Sequence, residues 1–253
     1  MRLAMELHSK LQVVLVCVML LFPAFCISQD LISSRATYYG SPDYYGNPRG
    51  ACGYGDYGRT VNDGSVAGVS GLWNKGSGCG GCYQVRCTNA IYCDEYGSLV
   101  VATDYGEGDR TDFVMSPRAF WRMGRSPEAS AELLKYGVVD VQYTRVSCAY
   151  AGANTLIRIH ETSKFPDYLA LVVLYVPGQF DVASVEIFQV GGNEWRTMRR
   201  AFGAVFDILD APRQPIIVTL HLIGSAGRYL VESKSAIPRD WKIGASYDTQ
   251  LHI

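Results

Sequence analysis

The sequence has little histidine and, past Cys148, no cysteine. Histidine occurs four times, and none falls between positions 9 and 159. A zinc site built on the Cys79-Gly-Gly-Cys82 pair would need histidines or a second pair of that spacing nearby. Cys87 and Cys93 are too far apart to supply it. No basic cluster is present and the net charge is −1. That removes the electrostatic footprint of a nucleic-acid binder or of a protein drawn to an anionic membrane. There is no Asn-x-Ser/Thr sequon, so no N-glycan is expected. Internal repeats and low-complexity runs are also missing. Beyond the N-terminus no stretch is long and apolar enough to cross a bilayer, which takes about 20 residues.

What is present suits a globular, β-rich chain. Hydrophobic residues make up 48% and glycines number 26 in 253 residues, enough for one large domain or two medium ones. Leu11 to Ala24 is apolar, with Arg2 and Lys10 before it and the small residues Cys26 and Ser28 after it. This reads as a secretory signal cleaved before Gln29. The mature chain is then expected to be soluble and secreted, with no membrane partner. Six cysteines remain: Cys52, Cys79, Cys82, Cys87, Cys93 and Cys148. An even number in a secreted chain reads as three disulfides, with about fifteen possible pairings. None lies beyond Cys148, so a stapled domain should end near there and a cysteine-free one follow. The C-x-x-C is read as structural, because its two central glycines disfavour the helix that a thioredoxin-like redox motif needs.

Local patterns place the elements. Ala36-Thr-Tyr-Tyr-Gly40 is a short aromatic strand, and Gly50-Ala-Cys-Gly-Tyr-Gly55 implies sharp bends or close backbone approach. Tyr83–Cys87 alternates, Ser98–Thr103 reads as a buried strand, and Val138–Cys148 alternates again. Ser116-Pro117 and Ser126-Pro127 are helix starts. Beyond the linker Ala149–Asn154 every signal is strand, including the apolar run Tyr168–Val176 and a hairpin from Pro215 to Val231. Short strands with regular turns over about 100 residues suggest a β-sandwich. His160 and His221 alternate with apolar positions and are expected to face solvent.

Ala36–Gly40, Gly50–Gly55, the Cys79-Gly-Gly-Cys-Tyr block and Ala102-Thr-Asp104 resemble the first domain of plant expansins. Asp167-Tyr-Leu-Ala170, Trp195-Arg-Thr-Met198, Ala201-Phe-Gly-Ala-Val-Phe206 and Ile237-Pro238 with Trp241 resemble their carbohydrate-binding domain. The resemblance spans essentially the whole mature chain and is nearest to expansin-like proteins of the B type. It implies an all-β fold: a six-stranded double-psi β-barrel, similar to family-45 endoglucanases, followed by an immunoglobulin-like β-sandwich. The implied divisions are a signal peptide at 1–28, an N-terminal segment and first barrel strand at 29–48, and the barrel domain at 49–149. A linker and the start of the sandwich follow at 150–162, then the carbohydrate-binding sandwich at 163–246 and a tail at 247–253. The implied disulfides are Cys52–Cys79, Cys82–Cys148 and Cys87–Cys93. No cofactor and no metal are expected. The expected partner is cell-wall cellulose, xylan or mixed-linkage glucan, bound by a monomer.

The groove is expected around the acidic stretch Val101–Phe120, which sets Asp104, Glu107, Asp109 and Asp112 between a strand and a helix start. Glycoside hydrolysis takes an acid and a second carboxylate, about 5–5.5 Å apart for retention and about 6.5–9.5 Å for inversion. By resemblance Asp104 holds one cleft-aspartate position. The other falls on Val114, which can neither give nor accept a proton. Asp112 lies two residues earlier, on the same face and about 6–7 Å away. The first domain is therefore expected to be a polysaccharide groove formed by Thr37, Tyr39, Asp104 and Asp112, without hydrolysis; Glu107 and Asp109 are expected to be loop charges. Flat aromatic rings stack on the apolar faces of pyranoses. Tyr168 and Phe202 match the platform positions of the second domain, with Trp195 as a third candidate and Phe206 and Trp241 read as core. Three functions stay open: non-hydrolytic wall loosening, weak hydrolysis or transglycosylation by Asp104 with Asp112, and binding without loosening in signalling or defence.

Overall fold

The structure is a computed structural model that describes residues 31–108, 111–150 and 152–251. The signal-peptide reading and Asp109 lie outside these residues. Strands β1 (Ile32–Tyr38), β2 (Val66–Val69), β3 (Cys82–Cys87), β4 (Ser98–Tyr105), β5 (Phe113–Met115) and β6 (Val138–Val146) close a barrel in the order β1-β5-β2-β4-β3-β6. The β1–β5 and β2–β4 pairs are parallel. The other four pairs are antiparallel. This is the double-psi barrel that the resemblance implied. The alternation read in the sequence turns Ala36, Ala67, Val85, Val100 and Val141 inward. The Phe113 ring sits among them, edge-on to Tyr83 and Tyr143 with centroids 5.6 and 5.0 Å away. Ser116 and Ser126 cap the helices Pro117–Trp121 and Pro127–Tyr136 by accepting from Ala119 N and Ala129 N, with proline in the first turn of each. The disulfides are Cys52–Cys79, Cys82–Cys148 and Cys87–Cys93, as implied.

The second half is a two-sheet sandwich. Strands β7 (Thr155–Ile159), β8 (Tyr168–Leu174), β9 (Asp181–Gln189), β10 (Trp195–Thr197) and β11 (Arg199–Phe202) are followed by β12 (Val205–Leu209), β13 (Ile216–Gly224), β14 (Gly227–Glu232) and β15 (Ser246–Leu251). One sheet runs β11-β12-β8-β7-β15 and the other β10-β9-β13-β14. The residues read as a tail from 247 include β15, an edge strand paired to β7, so the sandwich runs to Leu251.

β8 explains why its sequence is apolar at every position. Leu169, Leu171 and Val173 point between the sheets, beside Ile157, Ile187 and Phe206. Ala170, Val172 and Leu174 point the other way, against Cys52, Tyr54 and Cys79 of the barrel. A strand covered on both faces loses the apolar–polar alternation of a half-exposed one. The barrel and the sandwich thus share a core. Backbone meets backbone there: a Cβ added to Gly203, at φ +46°, would lie 2.3 Å from the Ala51 carbonyl oxygen, and one added to Gly76 would lie 2.8 Å from Gly203 Cα. Only glycine fits such approaches. Polar ties flank them. Ala204 N donates to Cys52 O at 3.0 Å. Arg145 donates to Gly178 O and to Asp181, each at 2.7 Å.

Candidate functional site

Four strands bring Asp104, Val114 and Thr37 into one row. Asp104 on β4 pairs with Gly68 on β2, Gly68 with Val114 on β5, and Val114 with Thr37 on β1. Adjacent strands lie about 4.8 Å apart, so the Asp104 and Val114 backbones stand roughly 10 Å apart across Gly68. Phe113 and Met115 fill the barrel interior, which leaves Asp112 and Val114 on the outside. Gly68 has no side chain because the chain after Asp104 folds back onto it. A Cβ there would lie 3.1 Å from Gly106 N, and a Cβ on Gly106 would lie 2.9 Å from Val114 Cγ2. The Val114 methyls are therefore packed under the loop that follows Asp104.

Two adjoining cavities flank this row. One, of about 550 Å³, is lined by Tyr39, Asn47, Arg49, Asp104, Tyr105 and Val114 among others. The other, of about 690 Å³, includes Ser34, Arg35, Ser70, Tyr105, Glu107 and Asp112. Tyr105 lines both. Its ring is 45% exposed and stands edge-on to Trp73, centroids 5.6 Å apart. Its hydroxyl donates to Glu107 at 2.7 Å. Sequence reasoning passed over Tyr105 and Trp73. The signal available was an aromatic directly after the acid at the end of a strand. Glu107, expected to be a loop charge, is the acceptor that holds the Tyr105 ring.

The two carboxylates are occupied by the fold. Asp104 Oδ1 accepts from Ala51 N at 2.6 Å and from Tyr105 N at 2.8 Å, and Oδ2 accepts from Asn47 Nδ2 at 3.0 Å. It thereby pins the loop from Asn47 to Ala51 across the end of the cleft. Asp112 Oδ2 accepts from the Ser34 hydroxyl at 2.6 Å, and its Oδ1 from Ser70 at 3.4 Å. Two strands sideways and two residues along separate the Asp104 and Asp112 backbones, or about 12 Å. They line different cavities, with Tyr105 between. Tyr39 lines the cleft beside Asp104. Burial, reinforced by that negative charge, pushes its phenol well above the ordinary value, so it stays a protonated donor. Thr37 sits in the row but lines neither cavity, and its hydroxyl donates to Gly137 O at 2.7 Å.

The five-stranded sheet carries the second set. Tyr168 is half-buried and its hydroxyl donates to Asp207 at 2.8 Å. Arg199 holds the same buried carboxylate with two hydrogen bonds, at 2.9 and 2.6 Å. Phe202, 46% exposed, stands edge-on to His160. His160 was expected to face solvent; its side chain is only 11% exposed, because Phe202 and Thr162 pack on it, and burial lowers its pKa. His221 is half-exposed and pairs with Glu186 at 2.8 Å. Trp195 is exposed, but it lies on β10 of the other sheet against Phe188, because the chain changes sheets at the buried Met198. It therefore shares no surface row with Tyr168 and Phe202. Phe206 and Trp241 are core, as read.

One short loop joins the cleft to the Phe202 ring. Asp104 holds Ala51, and two residues on, a Cβ at Gly53 would lie 2.8 Å from the Phe202 ring. Two residues span at most about 7 Å. No helix among the described residues is long and apolar enough to cross a membrane.

Comparison with known proteins fits this geometry. Residues 156–238 match the Expansin C-terminal domain, and residues 65–143 match a domain described as lytic transglycolase. Expansin-like B1 of Arabidopsis thaliana is 52% identical over 246 residues, covering 96% of this chain and 98% of the relative. Expansin-like B1 of Oryza sativa subsp. japonica is 37% identical over 255 residues, with 99% of each chain covered. Among solved structures, the apo expansin of Clavibacter michiganensis superimposes with a TM-score of 0.64 at 20% identity, covering 87% of this chain and 96% of the other. A mutant of that expansin in complex with cellohexaose gives a TM-score of 0.63 at the same identity, covering 87% and 97%. At that identity these two likenesses concern the fold.

Proposed function

This chain belongs to the expansin family, and on that premise we propose that it is a secreted, monomeric wall protein that binds a β-glucan or xylan strand without cutting it and loosens its contacts. The observation that carries the reading is the row Asp104–Gly68–Val114. A hydrolase of inverting type needs a second acid about 6.5–9.5 Å from the first. The position two strands from Asp104 is a valine packed under Gly106. Asp104 itself serves as an acceptor for three donors of the cleft wall. Binding is assigned to Tyr39, Asp104 and Tyr105 in the cleft, and to Phe202 and Tyr168 beyond the loop at Gly53. Asp112 and Thr37 contribute through hydrogen bonds that hold the cleft strands. That a relative of this fold was solved with cellohexaose supports an unbranched glucan as the ligand. Secretion is supported by the N-terminal signal pattern and by three disulfides, which persist in oxidising compartments.

Extension of heat-inactivated wall specimens under constant load tests the loosening step. Added protein should increase extension. No extension at any pH, with polymer binding intact, would reduce the function to binding alone. Transglycosylation by Asp104 with Asp112 is the weaker reading, since about 12 Å and the Tyr105 ring separate the pair.

A further inference from the structure

A third concavity, of about 440 Å³, lies on the barrel and is lined by Tyr44, Arg118, Trp121 and Arg122. It shares no lining residue with the cleft. Its two rings are exposed, Tyr44 at 55% and Trp121 at 37%. The short helix Pro117–Trp121 buries Ala119 and Phe120 and turns Arg118 and Trp121 outward. Asp63 Oδ2 accepts from Arg118 at 2.8 Å and from Arg122 at 2.6 Å, so a single carboxylate oxygen answers two guanidiniums. Each guanidinium has five N–H donors. Asp63 and Ser65 take two of each. Arg59, paired with Asp43, lies over the Tyr45 ring together with Arg118, at 5.0 and 5.2 Å. Three guanidiniums thus face two carboxylates, three minus two leaving one positive charge.

The backbone beneath it enters the left-handed region at Tyr44, Asn62 and Asp63, with φ of +65°, +54° and +52°; asparagine and aspartate tolerate it, whereas at Tyr44 it carries strain. Tyr44 O accepts from Arg118 N, and Asn62 Nδ2 donates to Leu99 O at 2.8 Å. Strain of this kind gathers where a surrounding structure fixes a site. An exposed tyrosine and tryptophan beside two guanidiniums with spare donors match a ring with an apolar face and a carboxylate. A planar guanidinium binds carboxylate in a two-pronged fashion that an ammonium does not reproduce.

We propose that this concavity binds a uronic-acid residue of an acidic wall polysaccharide, its pyranose against Trp121 and Tyr44 and its carboxylate on Arg118 and Arg122. The site is separate from the neutral-glucan cleft and does not depend on it. Calorimetric titration of the full chain at pH 7 with hexagalacturonate, cellohexaose and polyglutamate tests it. Hexagalacturonate should bind and weaken with added salt. Trp121→Ala should weaken it about fivefold. Arg122→Gln should weaken it about tenfold, with partial rescue by Arg122→Lys. Both variants should leave cellohexaose binding unchanged, and melting temperatures report whether Arg122→Gln keeps the fold. No binding of hexagalacturonate, binding unmoved by Trp121→Ala, or equal binding of polyglutamate would overturn the proposal. Hexagalacturonate binding without cellohexaose binding would support this site while sinking the cleft reading.

Discussion

The barrel and the sandwich solve the same problem in different ways. The barrel carries the side chains proposed to bind sugar on loops and strand ends, fixed by three disulfides and by carboxylates spent on backbone donors. The sandwich has no cross-link. It carries Tyr168 at the start of β8 and Phe202 at the end of β11, both strands of one sheet over a continuous apolar core. Irregular backbone buries little surface of its own and must be held by other means, whereas strands on a filled core need none. The difference suggests where each half is vulnerable.

The largest effect should come from reduction. Each native bridge is typically worth about 2–5 kcal/mol, so losing three should remove about 6 kcal/mol or more, comparable to the whole stability of a domain. Hydrogen exchange on the reduced protein should show β2 to β5 exposed first and β8 and β9 protected longest. Equal loss in both halves would break the contrast. Next, Gly203→Ala should cost about 3 kcal/mol, because its Cβ meets Ala51 and Cys52 and its φ is +46°. Barrel and sandwich should then melt separately in calorimetry. Asp104→Asn should cost about 2 kcal/mol by weakening three hydrogen bonds, and should lower polymer binding by releasing the 47–51 loop. Phe202→Ala should leave the melting temperature in place and reduce polymer affinity about fivefold.

The smallest effect is a pH dependence in the sandwich. Hydrogen bonds from Arg199, then the Tyr168 hydroxyl, hold the Asp207 carboxyl below its usual range against its burial. A depressed folded pKa gives stability that is present above the ordinary carboxylate value, about 3.9, and lost as pH falls through the lower folded value. Melting temperature should therefore drop on acidification below about pH 4, and less steeply in Arg199→Gln. An identical acid profile in that variant would remove Asp207 as the cause.

Much of this architecture could be read from local pattern. The apolar run at Tyr168 marked a buried strand, the glycines at 50–55 marked close backbone approach, and the two Ser-Pro pairs marked helix starts. What escaped has physical reasons. β15 alternates in burial, with Tyr247, Thr249 and Leu251 inward, but the middle inward position is the polar Thr249 and the register shifts between Asp248 and Leu251, so its apolar signal is weak. Trp195 is three residues from the buried Met198, where the chain changes sheets, and spacing along a chain does not say which sheet a residue joins. The fate of Thr37 and Asp112 depends on partners about 100 and 78 residues away, the Gly137 carbonyl and the Ser34 hydroxyl. The covering of Val114 by Gly106 follows from a loop that folds back, a contact no linear pattern carries.

The central claim is that the cleft holds a glucan strand without cutting it. One measurement addresses it most directly: reducing ends released from cellulose, xylan or mixed-linkage glucan, counted on the same samples in which polymer binding is measured. The account predicts clear binding with no reducing ends above the protein-free control. Reducing ends that accumulate with time and disappear in Asp104→Asn would contradict it.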